Sequence, residues 1–172
     1  MTFEPLKVVG SEETIRISVQ FRPAIENGLI FGLMTNKDPE KYRITVSLTD
    51  GKLTFELVYV KIRRDLKHVL KTDVCDGRWH NITLHISPQI VFLELDSVKE
   101  RLPTKASSVE AIDLFRSLPI NVGGVSARTA EKISATSLVG CYRNLRLANT
   151  KVSLSRAKRI NKVVPNMCPF MN

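Results

Sequence analysis

The sequence predicts an all-β fold, an antiparallel two-sheet jelly-roll sandwich with at most one short helix, on three observations. Apolar and polar residues alternate with period two through several short runs, turn formers separate those runs, and helical spacing is nearly absent. The 172 residues, 43% hydrophobic and 25% charged, are expected to form one domain spanning 1–172. No apolar run approaches the roughly 20 residues that span a bilayer, so membrane insertion is not expected.

Ile15, Ile17, Val19 and Phe21 alternate with Arg16, Ser18, Gln20 and Arg22, the pattern of a strand with one dry face and one wet face. Gly28 to Met34 is a continuous apolar run and predicts a strand buried on both faces. Ile44, Val46 and Leu48 alternate up to Asp50-Gly51, and Leu53, Phe55, Leu57 and Tyr59 resume beyond it. Asp-Gly tolerates the positive φ of a type I′ turn, so this segment predicts a hairpin. Ile82, Leu84 and Ile86 predict a second hairpin with Val91, Leu93 and Leu95, turning at Ser87-Pro88-Gln89. Leu118–Val122 and Tyr142–Leu147 read as later strands. Only Ser107 to Phe115 looks helical, with Ser107 and Glu110 at capping-box spacing.

The formal charge of +9 is unevenly placed. Residues 1–131 hold eighteen basic and seventeen acidic side chains, whereas residues 132–172 hold eight basic and no acidic ones. Such asymmetry points to an anionic partner or to a solvated basic surface. Met1-Thr2-Phe3-Glu4-Pro5 lacks a leader pattern, so secretion would make this chain a piece of a longer protein. Cys75, Cys141 and Cys168 are too few for a disulfide-rich scaffold and lack zinc spacing.

Four segments in order resemble the laminin G-like domain family. They are Ile17 to Arg22 followed by Asn27-Gly28-Leu29-Ile30; the hairpin around Asp50-Gly51; Cys75-Asp76-Gly77-Arg78-Trp79-His80; and Asn121-Val122-Gly123-Gly124 followed by Gly140-Cys141-Tyr142-Arg143-Asn144-Leu145. Cys75 directly before Asp76-Gly77 is most similar to a module of a laminin α chain. The resemblance implies a curved jelly roll that serves outside the cell, in extracellular matrix or basement membrane, as a binding module beside neighbouring modules of its parent chain. It also implies a disulfide between Cys141 and Cys168, leaving Cys75 as an odd thiol, expected to be a buried free cysteine.

Many members of the family hold calcium through an Asp at the start of the strand leading into the hairpin. That position falls at Tyr42, which cannot replace a carboxylate ligand, so neither calcium nor another cofactor is expected; Asp38 and Asp113 would need a different loop geometry. Asn81-Ile82-Thr83 is an N-glycosylation sequon whose Asn81 should face outwards. Trp79 is expected to add apolar surface to the core, and Gly123-Gly124 to be a backbone device.

The sequence is therefore expected to bind a sulfated glycosaminoglycan such as heparin or heparan sulfate through one of two clusters. These are Arg156, Lys158, Arg159 and Lys162, favoured because no carboxylate lies near them in sequence, and Lys61, Arg63, Arg64 and Lys67. The alternative is a protein-binding adhesion module that contributes to recognition of an integrin or another cell-surface receptor. Catalysis is not expected. Glu94, Asp96 and Glu100 have a spacing used by some jelly-roll glycosidases, but a turn should carry Glu100 off the face of Glu94. His68, His80 and His85 read as surface or turn residues, with His80 and His85 on opposite faces of one strand. Nucleic-acid binding has charge in its favour but no recognition element.

Overall fold

The computed structural model describes residues 1–5, 14–60, 64–102, 109–148 and 150–158. Among these, antiparallel strands form two six-stranded sheets packed face to face. The first runs in the order β1 (Thr2–Phe3), β10 (Ile120–Val122), β3 (Gly28–Met34), β4 (Tyr42–Thr49), β5 (Lys52–Tyr59), β6 (Arg64–Asp73). The second runs β12 (Thr150–Lys151), β11 (Gly140–Leu147), β2 (Ile15–Pro23), β7 (His80–Ile86), β8 (Val91–Leu95), β9 (Val98–Arg101).

Alternation built these strands as expected. Ile15, Ile17, Val19 and Phe21 point inwards and are fully buried, and Ile82, Leu84 and Leu93 meet them from β7 and β8. Every residue of β3 is buried. Phe21, Phe31, Phe55 and Phe115 fill the interior. Each such ring contributes roughly 1.5–3 kcal/mol relative to exposure. The β4–β5 turn uses positive φ at both Asp50 (50°) and Gly51 (74°), as its sequence predicts.

Among the described residues two short α-helices are present where at most one is expected. α1 (Val109–Arg116) overlaps the predicted segment, whose Ser107 lies outside the described residues. α2 (Ala127–Ile133) is capped by Ser126, whose hydroxyl accepts from the Thr129 amide. It escaped notice because only Thr129 of its seven residues is buried, so it carries almost no apolar period. Gly124 just before it has φ 154°, and a Cβ there would lie 2.3 Å from Ser137 Oγ, so the loop admits only glycine.

One irregularity matters below. Arg143 lies opposite Gln20 and Arg146 opposite Ser18, so β11 spends three steps where β2 spends two. Asn144, at φ 53°, is the extra residue of this β-bulge.

Candidate functional site

Register places the outward side chains of the second sheet in four rows across the strands. Arg22 stands beside Cys141 in the first, with Trp79 next to it just ahead of β7. The second holds Arg143, Gln20 and Asn81. The third runs Lys151, Arg146, Ser18, Thr83, Glu94, Lys99, and the fourth Arg16, His85, Phe92, Arg101. Side chains on one face of a strand repeat every second residue, about 7 Å apart. Five cations, Arg16, Arg22, Arg143, Arg146 and Lys151, thus gather on β2, β11 and β12 in a stripe of about 20 Å. No ion pair with a carboxylate joins Arg16, Arg143, Arg146 or Lys151 among the described residues. Glu94, on the same face but two strands from β2, is engaged by Lys99 at 3.7 Å.

The stripe is held in place by polar contacts. Arg143 Nε donates to Gln20 Oε1 (2.8 Å), which also accepts from Asn144 Nδ2 (2.9 Å). The Arg143 guanidinium lies 4.0 Å from the centroid of the Trp79 ring, and that of Arg22 lies 5.7 Å from it. Both are within cation–π range. Thr83 donates to Ser18, and Ser18 to Asn81 Oδ1 (3.4 Å). Sequence reasoning missed this site because its cations come from segments more than a hundred residues apart. The bulge also hides it: Arg143 and Arg146 differ in parity and would face opposite ways on a regular strand.

Trp79 therefore corrects an expectation. It is half-buried on the outer face, and His80 takes the inward position instead, 7% exposed and tilted against Phe21 at 6.0 Å. His80 is not a surface histidine. Its Nδ1 meets Asp96 Oδ2 at 2.7 Å and its Nε2 meets Asp76 Oδ1 at 2.9 Å. Burial alone would lower its pKa, but the hydrogen bonds and charges of Asp96 and Asp76 outweigh burial and raise it. A neutral ring has one N–H, so both bonds are charge-assisted donations only when His80 is an imidazolium. Asp76 is held below its usual range, first by the Arg78 amide and then by His80. His85 faces outwards, stacked on Phe92, which agrees with the opposite faces expected for the pair.

The sequence-predicted residues are scattered. Lys67 is exposed on β6 directly across from Glu56, and Arg64 opens that strand. Lys61, Arg63, Arg159, Lys162 and Cys168 lie outside the described residues. Arg156 is exposed in a 3-10 turn, Leu154–Arg156. Lys158 has a carboxylate after all: Glu4, remote in sequence, forms an ion pair with it. Asn81 faces outwards, yet it is half-buried and Thr83 is buried, so the sequon lies within the sheet face and does not project from it. Glu94 faces outwards, Asp96 sits in a turn on His80, and Glu100 reaches His68 on β6 at 2.6 Å; the three acids do not converge.

Cys141 is buried. Cys75 is a free thiol and only half-buried, contrary to the buried state expected. Burial, then the negative charges of Asp73, Glu26 and Asp76, push its pKa up. At the start of β4, the Tyr42 ring tilts against Tyr59 at 5.8 Å. Asp38 pairs with Lys41, and Asp113 with Arg116. Lys132 extends from α2 to donate to the Lys37 carbonyl (2.8 Å) and to approach Glu40 (3.7 Å). The Lys132 ammonium thus sits on two oxygens of this loop.

A model described as "Laminin G domain" matches residues 21–150. Mouse laminin subunit alpha-1 is 31% identical over 166 residues, which cover 90% of this chain and 5% of the laminin subunit. The human subunit alpha-1 is 30% identical over 92% of the chain and again 5% of its own length. Among solved structures, domains LG4-5 of the mouse laminin alpha1 chain superpose with a TM-score of 0.69 at 26% identity. That match covers 99% of this chain and 47% of theirs.

Proposed function

The chain belongs to the laminin G domain family, and from that premise we propose that it is a non-catalytic extracellular matrix module of a laminin-type chain. Its ligand in this reading is a sulfated glycosaminoglycan such as heparin or heparan sulfate, bound through surface Lys and Arg. The observation that carries it is the distribution of charge: eight cations and no acid occupy residues 132–172. Of these, Arg143, Arg146, Lys151 and Arg156 have no ion pair with a carboxylate among the described residues. The separation of Glu94, Asp96 and Glu100 supports a role without catalysis. Binding is independent of calcium in this proposal, which Tyr42 and the Lys132 ammonium support. Cys141 pairs with Cys168, Asn81 is a glycosylation site, and the module acts within a multi-module chain of the basement membrane.

Heparin-affinity chromatography, with and without a chelator, tests the reading. The chain should elute at higher salt than a basic protein matched in size and charge, with no change on chelation. Elution at or below the matched protein would leave the adhesion module, acting in an array on an integrin or another receptor, as the better account.

A further inference from the structure

We propose that the outer face of the second sheet, along β2, β11 and β12, is the docking surface for one linear sulfated polysaccharide chain. Arg16, Arg22, Arg143, Arg146 and Lys151 are its contact cations. This inference rests on the glycosaminoglycan reading above and replaces both of the sequence-derived clusters with a different site.

Three properties of the face select this occupant. Its cations form a stripe of about 20 Å across three adjacent strands, which suits an extended polymer. Four of the five are arginines, whose planar forks match sulfate and carboxylate oxygens better than an ammonium does. Arg143 is already oriented by Gln20 and Trp79, so part of the ordering cost of binding is met beforehand. A lipid surface is a poorer fit. Among the described residues the exposed large apolar ones are Ile25, Val60, Val69, Val98 and Val139, none of them in the four rows, and Trp79 and Phe92 are covered by Arg143 and His85. The covering of Trp79 likewise removes the platform on which nucleic-acid bases would stack.

Titration with heparin oligosaccharides of defined length, and with their desulfated counterparts, tests the assignment in about 0.15 M salt. Arg146→Glu/Lys151→Glu, both exposed at strand ends, should weaken binding about tenfold or more and flatten its salt dependence. Arg16→Glu alone should act in the same direction, and Lys67→Glu should change affinity less than twofold. Melting temperatures that match the parent show that the fold is retained. If Arg16→Glu and the double variant both bind like the parent while a variant reversed at Arg156, Arg159 and Lys162 does not, this face is wrong and the glycosaminoglycan reading survives. If the parent chain does not prefer sulfated over desulfated oligosaccharide, both fall. Equal affinity for phosphatidylserine vesicles with the same dependence on Arg146 and Lys151 would overturn the choice of polysaccharide.

Discussion

The outer faces of the two sheets differ in how their charges are answered. On the first sheet, Arg43 is only 13% exposed and grips Glu56 through Nε and Nη2, both at 3.0 Å, and Lys67 lies across from the same Glu56. On the second, the acids are engaged elsewhere: Asp76 and Asp96 turn inwards to His80, Glu100 crosses to His68, and Glu94 is met by Lys99. Arg143 of β11 is left facing neutral partners, Gln20 and Trp79, and among the described residues Arg16 and Arg146 have no ion pair with a carboxylate. The teaching is that net charge does not locate a binding surface; the pairing of acids does. Lys67 looks available in sequence and faces a carboxylate, whereas Arg146 looks unremarkable and has no ion pair with one among the described residues.

Removing His80 should break this contrast most strongly. His80→Gln deletes an imidazole that serves two carboxylates, and should lower stability by about 3 kcal/mol in urea denaturation. It also releases Asp76 and Asp96 near the Trp79 end of the stripe, so heparin affinity should fall as well. The bridge has a defined pH signature. A raised histidine pKa contributes stability that is full below the unfolded value of about 6.5 and is lost as pH rises through the folded value. The lowered pKa of Asp76 contributes above about 3.8 and is lost as pH falls through its folded value. Urea midpoints should therefore be highest between these limits, and His80→Gln should abolish the alkaline limb. An unchanged alkaline limb would show that the bridge is not the titrating element.

On the first sheet, Glu56→Gln should leave the Arg43 guanidinium short of a counter-charge and lower stability by about 2 kcal/mol, with heparin elution unmoved. A gain in heparin retention would mean that the pairing, and not the geometry of the face, had kept that sheet silent. Asn144→Val changes no charge. It places a β-branched residue at a positive φ and should lower stability by about 1–2 kcal/mol while reducing heparin affinity; Asn144→Gly, which keeps that φ and loses only the bond to Gln20, should do less of both. If both variants bind alike, the bulge does not aim Arg146. Lys151→Gln should change stability by less than about 0.5 kcal/mol, and heparin affinity about twofold.

The legible parts of the fold were those written locally. The alternation of Ile15 to Phe21 announced β2 because period two is a property of neighbouring residues, and Asp50-Gly51 announced its turn because both residues tolerate positive φ. β6 was harder: Asp65, Lys67 and His68 interrupt its apolar pattern, so its burial comes from pairing with β5. The candidate site was not legible at all, for a related reason. It needs β11 to land beside β2, and it needs an extra residue at Asn144 to turn Arg146 outwards, and neither is encoded within a few residues of the cations. Trp79 and His80 were exchanged in role because an aromatic ring suggests a core, while strand parity assigns the core side to its neighbour.

The half-exposed thiol of Cys75 has a consequence for chemical durability. An odd cysteine is a hazard to any protein that also carries a disulfide, as proposed above for Cys141 and Cys168, because a thiolate can attack that bond and reshuffle it. Here partial burial first, and then the charges of Asp73, Glu26 and Asp76, disfavour the thiolate, and with it the nucleophile that exchange requires. The acids of this rim thus add to what partial burial already does. The thiol is thus half-exposed in shape yet biased towards its less nucleophilic, protonated form.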